Sequence, residues 1–139
     1  MKVEELGEED GVLKLKLEDA TDAEANTLRR VMMSKVPTLA IKELEVTKNG
    51  SGLFDEVLAN RLGQVPFTLP KSLDEDDEIS IAVKKEGPVD VKASDIQTGD
   101  EEVEPVNPGI ILVTLKEDQE LEFEATAVPG YGKDHAKHQ

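Results

Sequence analysis

Few side chains in this sequence stand at spacings that could do chemistry. His135 and His138 lie three residues apart beside Asp134, the separation at which two imidazoles on one helical turn can share a divalent cation. They are the chain's two histidines, there is no cysteine, and no third ligand is indicated, so a metal site is rejected and a polar tail with solvated histidines is expected. Asp74-Glu75-Asp76-Asp77-Glu78 offers carboxylates for calcium but lacks the spaced oxygens and central glycine of an EF-hand loop, and it reads as a solvated acidic loop. Gly130-Tyr131-Gly132-Lys133 has a glycine and a lysine but neither the full spacing nor the Ser/Thr of a phosphate-binding loop, and it reads as a turn. No serine occupies a nucleophile-elbow pattern. Carboxylate pairs carry no information in so acidic a chain. No catalytic residue is assigned.

What remains is recognition chemistry. Arg29 and Arg30 sit together in a segment with helical periodicity, and Arg61 sits in a second such segment. A guanidinium stays charged and offers a planar fork to carboxylates and carbonyls, which makes arginine a frequent anchor at interfaces. The same residues would also serve as plain solvated charges on a helix face. Asp55 and Glu56 simply favour the N-terminus of the second segment through the helix dipole.

The elements that must position these residues follow from periodicity. Leu13, Leu15 and Leu17 alternate with Lys14 and Lys16, the pattern of a half-buried strand. Thr21-Asp22-Ala23-Glu24 fits a capping box: the Thr21 hydroxyl accepts from the amide three residues on, and Glu24 reaches back to the Thr21 amide. A helix follows, with Ala25, Leu28, Val31 and Met32 as its expected buried stripe, and Pro37 ends it. Leu39 to Lys48 is a strand whose apolar phase changes between Leu39/Ile41 and Leu44/Val46, predicting a bulge near Lys42-Glu43. After the Asn49-Gly50-Ser51-Gly52 break comes a helix of about three turns. Phe54, Val57, Leu58 and Leu62 are expected inward and Gly63 as C-cap. Val65–Pro70 is extended but irregular. The remainder reads as β: Ile79/Ile81/Val83, then Val89/Val91/Ala93. Ile110–Leu115 forms an apolar run expected to be buried on both faces. In the last strand Leu121/Phe123/Ala125/Ala127 oppose an outward face of Glu120, Glu122 and Glu124. Lys116-Glu117-Asp118-Gln119 is expected to be the hairpin turn between these last two strands.

Bulk properties bound the function. The chain has 139 residues with a formal charge of −15 (16 Lys and Arg against 31 Asp and Glu), so it repels phosphate backbones and direct nucleic-acid binding is not its main activity. An acidic excess of this kind suits a high-salt cytoplasm and equally a merely acidic surface. Aromatic residues make up only 3%, which leaves an aliphatic core. The absence of cysteine removes disulfides, thiolate chemistry and Cys-ligated zinc or iron–sulfur clusters. The first residues lack an apolar signal core and no apolar run approaches about 18 residues, which predicts a soluble cytoplasmic protein without a membrane partner.

Four motifs, in order, carry a family resemblance. The first is Ala25-Asn26-Thr27-Leu28-Arg29-Arg30 with Val36-Pro37-Thr38-Leu39-Ala40-Ile41, and the second runs from Asp55 through Ala59-Asn60-Arg61-Leu62-Gly63 to Pro66. Gly87-Pro88-Val89 with Ala93-Ser94-Asp95-Ile96 is the third, and Gly130-Tyr131-Gly132-Lys133-Asp134-His135-Ala136-Lys137 the fourth. Together they span nearly the whole chain. The sequence resembles the alpha-like family of archaeal DNA-directed RNA polymerase, its D-type subunits, related to the bacterial alpha N-terminal region and the third-largest eukaryotic subunit. The resemblance implies an α+β fold in which residues 1–48 form part of a strand-helix-strand dimerisation domain. Residues 49–129 form a β-rich insert domain with one short helix, and 130–139 return toward the dimerisation domain. It further implies a non-catalytic assembly platform that pairs with subunit L and docks the second-largest subunit. Arg29, Arg30, Arg61, Lys133 and His135 are then partner-binding, and Leu28, Val31 and Met32 lie on the dimerisation or core face.

Two departures from the family are expected to matter. Some family members hold an iron–sulfur cluster in a Cys-containing insertion, and here Pro70–Asp77 spans that area without cysteine, so no cofactor is expected. The family also continues past the His-Ala-Lys motif with a strand and a long helix. A separate chain supplying that half would cover Leu13, Leu15, Leu17, Leu28 and Met32, which are otherwise exposed. A stand-alone interaction module derived from such a polymerase component is the alternative expectation.

Overall fold

In the computed structural model, which describes residues 1–139, one strand organises the rest. β8 (Glu120–Tyr131) runs through the middle of a sheet, antiparallel to β3 (Pro37–Asn49) on one side and to β4 (Ile79–Glu86) on the other. A two-residue strand, β6 (Gln97–Thr98), closes the far edge, giving the order β3-β8-β4-β6. The expected alternation holds: Leu121, Phe123, Ala125 and Ala127 are buried, and Glu124 between them is exposed. Ile79, Ile81 and Val83 of β4 bury the same face.

Against that face lie α2 (Asp55–Gly63), through Leu58 and Leu62, and a two-stranded sheet of β5 (Val89–Lys92) with β7 (Ile111–Leu115). Phe67 bridges Leu39 on one side and Pro105 on the other, tying the irregular segment after α2 into the same core. The bulge foreseen near Lys42-Glu43 is present, as a register shift between Ile41 and Glu43, and a second follows between Val46 and Lys48. Two helices and eight strands make the protein α+β.

The first third of the chain is different. β1 (Lys2–Glu9) and β2 (Val12–Glu18) form a hairpin of their own, and α1 (Asp22–Lys35) follows. Asp10 and Gly11 both have positive φ, 52° and 75°, the conformation of the two-residue turn that matches strand twist. The Thr21/Glu24 capping box is formed, with Glu24 N–H donating to the Thr21 hydroxyl at 3.2 Å and Thr21 N–H to the Glu24 carboxylate at 2.8 Å. The helix stops at Lys35, before Pro37, as expected. No residue before Leu39 belongs to the buried cluster.

Several expectations are corrected here. The α1 stripe is not buried: Ala25 and Leu28 are half-covered, while Val31 and Met32 (49% exposed) face solvent. Leu13 and Leu15 are exposed as well, and only Leu17 is partly covered. In α2, Phe54 is the N-cap rather than a helical residue, so it falls out of phase with Leu58 and is 80% exposed; Val57 is exposed beside it. Gly63 is the last helical residue and Gln64 caps the helix in ordinary right-handed geometry, so the glycine's conformational freedom is not used. β7 meets the expectation only in part: the consecutive Leu112 and Val113 are both buried, while Ile111 and Thr114 are exposed. Lys116–Gln119 does turn, with Gln119 N–H donating to Lys116 O at 3.1 Å, but β7 and β8 belong to different sheets and do not form a hairpin. The tail is ordered, ending in a 3-10 turn at Ala136–His138 whose second histidine is buried.

Phe123→Ala, at the centre of the sheet, is expected to lower unfolding free energy by about 3–5 kcal/mol in urea titration. The Glu24 carboxyl is held below its ordinary pKa, first by the Thr21 backbone N–H and then by the Thr21 hydroxyl. The cap therefore stabilises α1 fully above about pH 4.5 and less as the carboxyl protonates. Helical circular dichroism should fall between about pH 5 and 3, and Glu24→Gln should remove that step.

Candidate functional site

The one conspicuous cluster of titratable side chains, Lys48, Lys84, Lys85, Glu86, Glu120 and Glu122 on the sheet surface, is made of ion pairs such as Lys48–Glu120 at 3.2 Å and holds no nucleophile. No group of three or more His, Cys, Asp or Glu side chains is placed to hold a metal ion. A depression of about 510 Å³ lies on the face of the sheet turned away from the core, where Glu43, Glu45 and Glu124 stand among Ser80, Thr98 and Thr126. It is open and acidic and holds no base paired with a nucleophile. No helix is long and apolar enough to cross a membrane.

The unusual chemistry of the surface is apolar, and it is concentrated in residues 1–36. Val3, Leu6, Val12, Leu13 and Leu15 of the hairpin and Val31, Met32, Met33 and Val36 of α1 and its end are exposed. A groove of about 370 Å³ runs between Met1 and α1, lined by Ala23, Thr27, Leu28 and Val31 with Glu24 at its edge. A monomeric protein rarely leaves such a surface open to water, and an isolated two-stranded hairpin is marginal by itself. The hairpin and helix therefore have the character of one half of an interface. Alternation gave the strand its apolar face and helical spacing gave α1 its stripe, but both are turned outward.

The cationic residues divide into two places. Arg29 is held on the helix surface, its Nε and Nη2 donating to the Asn26 Oδ1 at 3.1 and 2.9 Å and Nη1 approaching the Met33 sulfur at 3.3 Å. The guanidinium of Arg30, one residue on, makes no hydrogen bond or ion pair within the chain and is exposed. Lys133 joins them at the C-terminal end of α1: its backbone N–H donates to Ser34 O at 3.1 Å, and its ammonium lies 5.6 Å from the centre of the Tyr131 ring. A cation there also suits the negative end of the helix dipole. The Tyr131 hydroxyl donates to Glu75, and that bond to a carboxylate raises the phenol above its ordinary pKa.

His135 and Arg61 are engaged within the chain. The His135 Nδ1 accepts from Lys137 N–H at 3.1 Å, capping the 3-10 turn, and the ring remains exposed. Arg61 stands on α2 and donates to Leu112 O of β7 at 3.0 Å, which fastens the helix to the second sheet. The solvated-tail expectation fails for His138, which is 5% exposed. Its Nδ1 lies 3.1 Å from Thr38 O, and Thr38 Oγ1 donates to His138 O at 2.9 Å. Phe54 and Val57 are surface residues that the reading of periodicity missed; the available signal was Phe54's place before Asp55, outside the helix.

A core built on a β8-centred sheet, preceded by a hairpin and a helix whose apolar faces stay open, defines an α+β domain. Residues 11–139 match the family described as the RNA polymerase Rpb3/RpoA insert domain, and the chain belongs to that family. It is similar to the DNA-directed RNA polymerase subunit Rpo3 of Natronomonas pharaonis, 47% identical over 119 residues that cover 86% of this chain and 48% of that protein. The Halobacterium salinarum protein of the same name is 40% identical over 137 residues, 99% of this chain and 55% of its own length. The one from Pyrococcus furiosus is 40% identical over 146 aligned residues, covering all of this chain and 56% of that protein. The chain thus spans about half the length of the curated relatives it matches.

Gly132 sets the approach of the tail to α1, because a Cβ there would overlap Met33 O. Gly132→Ala is expected to break the Lys133–Ser34 bond and lower the exchange protection of the Lys133 amide about tenfold, the factor that roughly 1.4 kcal/mol produces. Gly52→Ala, with nothing within 4 Å of the added methyl, should leave it unchanged in the same hydrogen-exchange experiment.

Proposed function

We propose that this protein is a non-catalytic assembly subunit of an archaeal DNA-directed RNA polymerase. The observation that carries the reading is the division of the chain: residues 1–36 place no side chain in the core yet expose apolar groups from both a hairpin and a helix. In this reading the apolar face of Leu13, Leu15, Leu28, Val31 and Met32 is buried against the small subunit L. Part of its cover belongs to the additional sequence that the longer relatives carry, whether in the same polypeptide or another. The cationic side of α1, with Arg29 and Arg30, and Lys133 and His135 beyond its C-terminal end, docks the second-largest subunit, and Arg61 contributes from α2. The division of the chain near Asn49 into a dimerisation part and an insert part belongs to the same proposal. β3 is then the strand common to both, since it runs from α1 into the insert's sheet. The site is cytoplasmic, and the protein works without a cofactor. The names of the relatives and the family match support this role.

The two faces are separable by mutation. Arg29→Ala with Arg30→Ala should weaken capture of the second-largest subunit at least tenfold, since a central interface arginine is worth about 2 kcal/mol or more. L binding and the circular dichroism spectrum should be unchanged. Leu15→Asp with Met32→Asp should do the converse, abolishing L binding first. Unaltered capture in the arginine double mutant would count against the assignment.

A further inference from the structure

α1 is attached to the body of the protein in an unusual way. None of its residues is buried. The one hydrogen bond reaching it from a distant part of the chain is that from Lys133 N–H to Ser34 O, at the helix's last turn. Beside it Gly132 presses against Met33 O, an approach closed to any residue with a Cβ. From there the chain doubles back. The Gln139 amide donates to Gly132 O at 3.2 Å, and the 3-10 turn settles on the first residues of β3, where the Lys137 ammonium donates to Ile41 O at 3.2 Å. Residues 130–139 therefore bridge the last turn of α1 and the start of β3, spanning the elbow at Val36-Pro37 that joins them.

The centre of the bridge is His138. Its ring lies so close over Gly130 that a Cβ there would come within 2.5 Å of Nε2. Nδ1 faces Thr38 O, a pure acceptor, so the neutral tautomer that satisfies the contact carries its proton on Nδ1. The Thr38 hydroxyl returns a bond to His138 O. A neutral, buried imidazole thus joins β3 to the tail, and the tail holds α1.

We propose that Gly130–Gln139 is a latch that fixes the angle of α1 to the sheet, with His138 as its positioning residue, and that protonating His138 releases it. The charged groups around the ring are on its own segment: Asp134, His135 and Lys137. β3 presents Thr38 and β8 presents Gly130, neither ionisable, and the nearest titratable group of β8, Tyr131, is bound to Glu75. Burial is the largest influence and disfavours the charged ring, and the cations Lys137 and His135 act in the same direction. The Thr38 carbonyl and Asp134 oppose them, and the net effect lowers the pKa below the ordinary 6.5. Protonation keeps the Nδ1–H bond to Thr38 O but adds a hydrogen at Nε2, which lies against Gly130 with no acceptor in the chain, so an unlatched His138 binds its proton more tightly than a latched one. The latch is therefore at full strength above about pH 6.5 and weakens as pH falls through that value. This goes beyond the assembly role, because it concerns how α1 is held whatever partner α1 meets.

The test needs no partner. The chain has no cysteine, so spin labels on Asp22→Cys and Ser80→Cys report the distance from the far end of α1 to the sheet. At about pH 7.5 a single narrow distance distribution is expected; at about pH 5.5 it should broaden, while the β signal in circular dichroism stays the same. His138→Ala should be broad at both values. His138→Asn, whose neutral amide N–H can take the place of Nδ1–H, should be narrow at both. A narrow distribution in His138→Ala, a broad one already in the unsubstituted chain at the higher pH, or pH-dependent broadening that persists in His138→Asn would each overturn the latch. So would loss of the β signal together with the broadening, because that would make His138 a part of the general fold.

Discussion

The core of this protein depends on β8 being paired on both edges along most of its twelve residues. A strand in that position has its backbone groups satisfied by neighbours, and the alternation of its side chains then decides which face is dry. Leu121 and Phe123 are almost wholly excluded from water, and the core is assembled on them from segments that all precede β8 in sequence: β3, α2, β4 and β7. β8 also carries the chain past the core: its last residues pair with the first of β3, Tyr131 opposite Pro37 and Gly130 opposite Thr38. The tail is delivered to the foot of α1 for that reason.

Burial is consequently one-sided along the chain. The residues after Pro37 form a domain with one continuous aliphatic core, which suits a sequence poor in aromatics. The residues before it form elements whose local rules are satisfied and whose apolar faces are not. A capped helix of 14 residues is near the lower limit for a helix standing alone, and a lone hairpin is below it. In the proposed role the surface that completes these elements is a partner's. The long outer edge of β3 is managed differently: it carries Lys42, Glu43, Glu45 and Lys48 and is interrupted by two bulges, the devices by which a sheet discourages an added strand. The same chain thus blocks one open edge and leaves a nearby apolar face open.

Much of this was legible from local patterns. The capping box at Thr21 and Glu24, the stop before Pro37, the change of phase at Lys42-Glu43 and the alternation of Ile79–Val83 and Leu121–Ala127 each depend on neighbours a few residues apart, so sequence reads them directly. The β1–β2 hairpin was missed: Asp10-Gly11 was the available turn signal, but the acidic strand before it has only Val3 and Leu6 to mark it. The errors share a different origin. The stripe of α1 and the leucines of β2 are apolar at the right spacing, and spacing says that a face wants cover without saying where the cover is. Phe54 failed because a start one residue later moves it out of the helical phase.

Residue identity and near spacing were enough for the element types, the aliphatic character of the core, the absence of thiol chemistry and the kinship carried by four ordered motifs. Long-range contacts were needed to settle which apolar faces meet and which remain open, that β7 and β8 part into separate sheets, and that Arg61 is bound to Leu112 while the Arg30 guanidinium is unpaired. They also settled the fate of two histidines three residues apart. One caps a turn in water, and the other is buried against Thr38, because β3 and β8, distant in sequence, are paired where the tail returns.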